Sequence, residues 1–364
     1  MSDKLFLPYL SGPLELKNRT VMAPLTRSRA TLDNIPTELM ATYYSQRSGA
    51  GLIITEGTSP SPNGLGYSSI PGIFNQKQVD GWKKITDAVH AKGGKIFIQL
   101  MHTGRIGHQL NLPEGAEVLA PSAVKAAGQI FTVKSGMQEH PEPRAFTTEE
   151  VKSTINEYVA AAKKAIEAGF DGVELHAANG YLIEQFINPG TNIRTDEYGG
   201  TIENRSRFLL EIAAETVKAI GKEKVGVRFS PYGTFNDIPA YNEVDETYTY
   251  LAEKLNELEI LYIHVLDHSE GNASPDITRV KDIIRSRFQN ILIFCGGFDK
   301  QKAEDELKKG IADLIAFGVP FLTNPDLVER MKIGAELNKP DFSTFYSGGE
   351  IGYTSYPFLA EVVV

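Results

Sequence analysis

Short runs of apolar residues, many of them β-branched, alternate along the chain with longer segments in which apolar residues recur at helical spacing. This alternation is typical of repeated βα units around a parallel sheet. Eight apolar runs predict strands, at 21–26, 51–57, 95–102, 172–178, 224–231, 261–267, 290–297 and 313–321. Segments between most of them predict helices, at 77–91, 148–168, 203–220, 246–258, 299–309 and 324–337. The pattern therefore predicts an α/β protein, a (β/α)8 TIM barrel.

Two segments account for the length beyond a barrel core. Such a core usually needs about 250 residues, and the chain has 364. Residues 103–147 contain several prolines and few helical signals, and they predict an inserted loop or hairpin that caps the third strand. Residues 340–364 combine glycines with aromatic residues and predict a segment that folds back over the barrel. We expect one domain over residues 1–364.

Composition narrows the functional class. No stretch approaches the roughly 20 apolar residues that span a bilayer, and no secretory signal is present, so we expect a cytoplasmic protein. The net charge of −9 is spread without a basic stripe, which argues against nucleic-acid and membrane partners. Cys295 is the only cysteine, which excludes an internal disulfide, a Cys-rich zinc site and an iron–sulfur cluster. We expect no metal, because no carboxylate cluster suggests one.

Polar residues interrupt the apolar runs where barrel enzymes build their active sites. Thr26 ends the first predicted strand, Gln99 lies in the third, His176 ends the fourth and Arg228 lies in the fifth. A buried Gln or Arg is costly unless a partner satisfies it. A bound polar ring system would satisfy both.

The segment 174–200 carries the most specific chemistry. His176 and Asn179 offer neutral hydrogen-bond donors to an oxyanion, and Tyr181 offers a proton suited to protonating carbon at neutral pH. A polar network that merely caps the fourth strand is the structural alternative.

These residues belong to longer motifs, which resemble the Old Yellow Enzyme family of FMN-dependent ene-reductases. The motifs are RTVMAPLTRSRA, IQLMHTGR, the segment 174–200, AFGVPFLTNPDL and GYTSYPFL, and they cover nearly the whole chain. The resemblance implies flavin contacts from Pro24, Thr26, Gly57, Gln99 and Arg228, with Arg228 near the N1 and C2=O edge. Thr26 would tune the flavin potential through O4, and its presence favours the yeast-type and classical bacterial branch.

The resemblance also predicts an FMN phosphate site after the last two strands. Gly297, Gly318 and Val319 would bind phosphate through backbone amides. Many relatives carry Arg where this chain has Val319, so a direct charge-assisted contact is missing.

The substrate pocket is predicted from the same resemblance. Tyr67, Phe235 and Tyr353 match pocket aromatics, and Met101 stands where many bacterial relatives have Trp, which should soften the pocket. NADPH or NADH would reduce FMN, and an enone or nitroalkene would then take hydride from flavin N5 while His176 and Asn179 bind its oxygen. Tyr181 would protonate the α-carbon.

The sequence leaves alternative reactions open. The same site could reduce nitrate esters, nitroaromatics or quinones, and a cofactor-free barrel lyase or isomerase could use the glycine loops to hold a sugar phosphate. The sequence leaves a monomer or a homodimer open, and it does not choose between NADPH and NADH.

Overall fold

Eight parallel strands close into a barrel in this computed structural model, which describes residues 3–12, 14–269, 275–346 and 348–359. Each strand pairs with the next along the chain, and the last pairs with the first. The strands are β1 (Thr20–Met22), β2 (Leu52–Thr58), β3 (Ile96–Leu100), β4 (Gly172–Ala177), β5 (Val225–Phe229), β6 (Tyr262–Leu266), β7 (Ile291–Cys295) and β8 (Leu314–Phe317). The predicted (β/α)8 fold is confirmed.

Helices pack around this barrel, and they follow the predicted positions closely for most of the chain. They are α1 (Glu38–Gln46), α2 (Gln76–His90), α3 (Thr148–Glu167), α4 (Leu182–Ile187), α5 (Ile202–Ile220), α6 (Val244–Glu257), α7 (Pro275–Arg287), α8 (Lys300–Lys309), α9 (Val319–Thr323) and α10 (Leu327–Ile333). The sequence did not predict α1, α4, α7 or α9. It also extended the helix at 324–337 too far, because Gly334 adopts a left-handed conformation that ends α10.

The N-terminal half of the barrel interior is apolar. Phe97 on β3 and Tyr262 on β6 meet there with ring centroids 5.9 Å apart. A Cβ at Gly226 would lie 2.1 Å from the Tyr262 ring, so only glycine leaves room for that ring. The hairpin formed by Tyr9–Ser11 and Leu14–Leu16 closes this end from outside. Functional groups are therefore left to the C-terminal half of the interior.

The first strand is shorter than the sequence suggested. β1 ends at Met22 rather than at position 26, because Pro24 has no amide hydrogen to continue the ladder. Thr26 thus lies in the loop beyond the strand, at the C-terminal rim of the barrel.

The inserted residues 103–147 rise above β3 and contain a short antiparallel hairpin, Gln129–Thr132 with Gly136–Glu139. A second pair of short strands, Leu119–Ala120 and Arg144–Ala145, joins the middle of the insertion to its C-terminal end. The cap predicted after the third strand is present.

Residues 341–346 and 348–359, which we call the C-terminal segment, lie over the loop that follows β1. Three buried arginines hold the segment through its carbonyl groups. Arg27 donates to Phe345 O and Gly352 O, Arg29 to Thr344 O and Phe345 O, and Arg47 to Tyr353 O. Residues 347 and 360–364 of the predicted 340–364 segment lie outside the described residues. Within the described ranges, no helix is long and apolar enough to cross a membrane.

Candidate active site

A layer of polar side chains fills the C-terminal half of the barrel interior. The parallel register aligns His176 with Arg228 and Arg228 with His264, and it aligns Gln99 with Glu174. Residues paired in this way on neighbouring strands face the same side of the sheet. All five are at most 4% exposed, so the sequence has placed several polar groups where each needs a partner.

Glu174 and His264 satisfy each other at the centre of this layer. His264 Nδ1 lies 2.9 Å from Glu174 Oε2, and Gln99 Nε2 donates to Glu174 Oε1 over 2.8 Å. Burial by itself would raise the pKa of Glu174, but the His264 charge and the Gln99 hydrogen bond hold it below its usual value. Burial opposes charge on His264 as well, yet Glu174 raises the pKa of that imidazole. The two charges therefore compensate each other.

The positively charged guanidinium of Arg228 has few hydrogen-bond acceptors around it. Its Nη2 contacts the thiol of Cys295 at 3.8 Å, and its Nε has no hydrogen-bond partner among the described residues. A guanidinium buried in this way requires an acceptor. The carbonyl and nitrogen edge of an isoalloxazine is such an acceptor, so the polar layer fits the flavin of FMN. Cys295 itself is buried.

A tight turn after β4 brings together the three residues singled out in the sequence. Asn179 and Gly180 both have positive φ, at 61° and 72°. A Cβ at Gly180 would lie 2.6 Å from Phe235 O, so glycine is required there. The turn carries Tyr181 back toward His176, and the two rings meet edge to face with centroids 5.0 Å apart.

Glu184 supports this turn from beneath. Its carboxyl accepts from the Gly180 amide at 2.6 Å and from Ser230 Oγ at 3.1 Å, while Ser230 Oγ accepts from the Asn179 amide at 2.8 Å. Burial raises the pKa of Glu184 to about 8, although both hydrogen bonds lower it in part. The carboxyl is therefore mostly protonated at neutral pH.

Burial and nearby charges determine the protonation states of His176 and Tyr181. Burial, and then the charges of Arg228 and His264, hold the pKa of His176 well below its usual value, so its imidazole is neutral. Burial raises the pKa of Tyr181, so its phenol stays protonated. The Tyr181 hydroxyl lies 3.1 Å from the hydroxyl of Tyr67, which is half-buried. The turn thus presents a neutral donor and a protonated acid.

The predicted pocket aromatics fall in different places. Tyr67 joins Tyr181, and Phe235 is 54% exposed at the rim. Tyr353 is the exception. It is fully buried and stacks on Tyr43 with ring centroids 4.1 Å apart, because the arginines that hold the C-terminal segment surround it. The assignment of Tyr353 to the substrate pocket is therefore corrected.

Another tyrosine of the same segment lies beside the pocket. After burial, which is the main cause, the phenol of Tyr346 also raises the pKa of Tyr67 and of Tyr181. Tyr346 is 67% exposed, and it is close enough to both phenols to act on them electrostatically.

Met101 is buried in a small apolar cluster that includes Tyr181. Its sulfur occupies the space beside Gly57, where a Cβ would lie 2.4 Å from Met101 Sδ. Gly57 follows an irregularity in the pairing of β2 with β3. The close contact explains why position 57 lacks a side chain.

The two glycine loops lie at the same rim of the barrel. After β7, Gly296 and Gly297 both have positive φ, and a Cβ at Gly296 would lie 2.2 Å from Asp267 O. After β8, Gly318 precedes α9, and a Cβ there would meet Leu25 at 3.6 Å. Gly318 therefore adjoins the loop that contains Pro24 and Thr26.

Sequence reasoning missed four residues around the turn: Glu184, Asn236, His268 and Tyr346. His268 follows the end of β6, so the rule that favours polar residues at strand ends could have found it. Asn236 donates to Asn179 O over 2.8 Å from a distant loop, and no local pattern indicates that contact. Glu184 resembles an ordinary polar residue of a short helix.

The fold and the site define a class of protein. A barrel whose polar layer fits an isoalloxazine, with a neutral imidazole and a protonated phenol above it, is a flavin-dependent oxidoreductase.

Comparisons with known proteins narrow this class. The sequence model of the NADH:flavin oxidoreductase / NADH oxidase family matches residues 4–338. A Leishmania infantum protein named "Probable flavin mononucleotide-dependent alkene reductase" is 44% identical over 363 residues, which is 98% of each chain. 12-Oxophytodienoate reductase 7 of Oryza sativa subsp. japonica is 40% identical over 377 residues, covering 98% of this chain and 95% of the relative.

Solved structures agree with these relatives. Morphinone reductase in complex with tetrahydroNAD superposes with a TM-score of 0.92 at 44% identity, covering 99% of both chains. The old yellow enzyme homologue from Zymomonas mobilis gives a TM-score of 0.93 at 41% identity, covering 98% of this chain and 99% of the other. The chain belongs to the NADH:flavin oxidoreductase / NADH oxidase family, and the resemblance to the Old Yellow Enzyme family is confirmed.

Proposed function

We propose that this protein is an FMN-dependent, NAD(P)H-oxidising ene-reductase that acts on α,β-unsaturated carbonyl compounds or nitroalkenes. Bound FMN would supply the hydride chemistry that links oxidation of the reduced nicotinamide to reduction of the substrate at its β-carbon. The contact of neutral His176, at the end of β4, with protonated Tyr181 across the turn that carries Asn179 supports the proposal most directly. The names of the relatives, among them an alkene reductase and a morphinone reductase, support it.

Arg228 and Gln99 are the interior residues best suited to hold the isoalloxazine. Because His264 neutralises Glu174, the charge of Arg228 remains available, and it favours negative charge on the ring system. Gln99 uses its Nε2 for Glu174, so its Oε1 is the atom that can accept from the ring. Pro24, Thr26 and Gly57 would border the ring at the rim.

His176 and Asn179 would bind the substrate oxygen. Negative charge grows on that oxygen as hydride reaches the β-carbon, and two N–H donors stabilise it where water is largely excluded. A neutral His176 serves this purpose by donating a hydrogen bond without transferring a proton. Activation of the alkene then depends on the oxygen, which accounts for a preference for carbonyl and nitro groups.

Tyr181 would protonate the α-carbon. Its raised pKa keeps the proton in place until the carbon becomes basic. Tyr67 would then return a proton to Tyr181, because its hydroxyl is 3.1 Å away and its side chain is half-buried, partly in contact with solvent.

The first experiment is an absorption spectrum of the purified protein, followed under anaerobic conditions by nicotinamide and then by 2-cyclohexenone. We expect flavin bands near about 460 nm that bleach with NADPH or NADH and return with the enone. A protein that stays colourless after incubation with FMN would refute the proposed cofactor. Bleaching without return of the bands would refute the ene-reductase activity and leave nicotinamide oxidation intact.

A further inference from the structure

His268 lies on the open side of the Asn179 turn. It follows β6, and its Nε2 lies 2.9 Å from Asn179 Oδ1. Its ring stacks nearly parallel on Phe235, with centroids 6.0 Å apart and an interplanar angle of 9°. A Cβ at Gly233 would lie 2.8 Å from the His268 ring, so the imidazole also packs on the loop after β5. These contacts hold the ring in one place although the residue is exposed.

The polar groups of Asn179 are almost all engaged by protein. Its amide donates to Ser230 Oγ, its carbonyl accepts from Asn236 Nδ2, and its side-chain Oδ1 faces His268. Within the described ranges, Nδ2 alone makes no hydrogen bond to protein. The side chain is thus held by one end, and the other end is left for a ligand.

We infer that His268 orients the Asn179 carboxamide so that Nδ2, and not Oδ1, meets the substrate oxygen. The inference rests on the proposed function. The two ends of a carboxamide have nearly the same shape but opposite polarity, so a rotated side chain would repel an oxyanion. When its hydrogen is on Nε2, His268 donates, and only Oδ1 of the carboxamide can accept, so this tautomer fixes the choice. His268 is therefore a positioning residue that acts through Asn179.

Charge on His268 does not alter this role. Burial, and then the charge of Arg228, lower the pKa of His268, so the ring is neutral at neutral pH. The neutral ring with hydrogen on Nε2 and the protonated ring both donate to Oδ1. The carboxamide keeps its orientation in either state.

Two substitutions separate the hydrogen bond from the stacking. His268→Phe keeps a ring against Phe235 and removes the donor. His268→Gln removes the ring and keeps an N–H at the distance of Nε2. The probe is 4-chlorophenol, whose phenolate oxygen resembles the developing enolate; it is titrated into the FMN-loaded protein while the flavin spectrum is followed. Affinity and the pKa of the bound phenol are both read from this titration.

We expect His268→Phe to weaken phenol binding about tenfold and to raise the pKa of the bound phenol, because the misplaced carboxamide no longer stabilises the anion. We expect His268→Gln to lose less, about threefold, because its own carboxamide can donate to Asn179 Oδ1 or, when rotated, accept from Nδ2. In an Asn179→Ala background, His268→Phe should have no further effect, since its role passes through Asn179. FMN content serves as the control for folding.

Each other outcome has a defined meaning. Equal affinity of the unaltered protein and His268→Phe would overturn the inference. The same loss with and without Asn179 would also overturn it, since His268 would then act by another route. If the unaltered, FMN-loaded protein bound no phenol, the proposed oxyanion site would fail and this inference with it. Phenol binding without dependence on His268 refutes the orientation role alone.

Discussion

Replacement of Tyr181 by Phe tests the proposed acid most directly. The change removes one hydroxyl and keeps the ring that packs on His176 at 5.0 Å and within the apolar cluster around Met101. The turn itself should stay intact, because Glu184 and Ser230 hold it through backbone groups. The effect of the substitution can therefore be assigned to the lost proton donor.

The structure sets the size of the expected effect. A lost general acid lowers a rate about 10²- to 10⁴-fold. We expect the lower limit, about a hundredfold or about 2.7 kcal/mol of barrier, because Tyr67 keeps a second phenol within 3.1 Å of the lost hydroxyl position. Tyr67→Phe in the same protein should then enlarge the loss.

Stopped-flow absorbance measures the two half-reactions separately. Reduction of the flavin by nicotinamide should keep its rate in Tyr181→Phe, whereas reoxidation by 2-cyclohexenone should slow. Reoxidation by a nitroaromatic compound should survive, since it need not protonate carbon. An equal slowing of flavin reduction and reoxidation would refute the assignment of Tyr181 as the acid.

Three further changes test other parts of the molecule. Val319→Arg should tighten FMN binding about tenfold through a charge-assisted contact to phosphate, measured by titration of the apoprotein. Glu184→Gln should flatten the pH dependence of stability. The folded-state pKa of about 8 exceeds the unfolded value, so the stabilisation is full at low pH and declines as pH rises to about 8. Arg29→Met should lower the unfolding free energy by about 3 kcal/mol, because several buried carbonyls lose their donor, as urea titration would report.

Each of these has a control. Riboflavin, which has no phosphate, should bind Val319→Arg and the unaltered protein alike, and a gain for both ligands would contradict a phosphate contact. Melting temperatures at pH 5 and pH 9 should differ less in Glu184→Gln, and an unchanged difference would remove Glu184 as the titrating group. Arg29→Lys keeps the charge without the planar fork, so full stability in that variant would contradict the importance of fork geometry.

The barrel could be predicted because its strands are buried on both faces. Parallel strands of this kind read as continuous apolar runs, and polar residues within them, such as Gln99 and Arg228, stand out. Helices could be predicted less completely than strands. In α1 the adjacent Tyr43 and Tyr44 are both buried, which obscures helical spacing. In α7 only Ile277, Val280 and Ile284 are buried, in a segment rich in charged residues.

Contacts between distant loops lie beyond sequence patterns. The aromatic and glycine content of the C-terminal segment indicated that it folds over the barrel, but it did not tell Tyr346 from Tyr353. Which tyrosine is buried depends on the hydrogen bonds that Arg27 and Arg29 donate to backbone carbonyls of the segment. Those carbonyls are more than 300 residues away from the arginines in sequence. The bonds from His268 and Asn236 to Asn179 likewise join separate loops.

The way the C-terminal segment is attached has a consequence for how such enzymes can diversify. Arg27, Arg29 and Arg47 grip carbonyl oxygens, a group that every amino acid carries. Side chains along the segment, including that of Tyr346 near the Tyr67 and Tyr181 phenols, can therefore be exchanged while the attachment persists. Segments transplanted from relatives should dock on the same three arginines. The C-terminal segment can thus change its side chains, whereas the proposed site residues belong to the barrel strands and the loops that follow them.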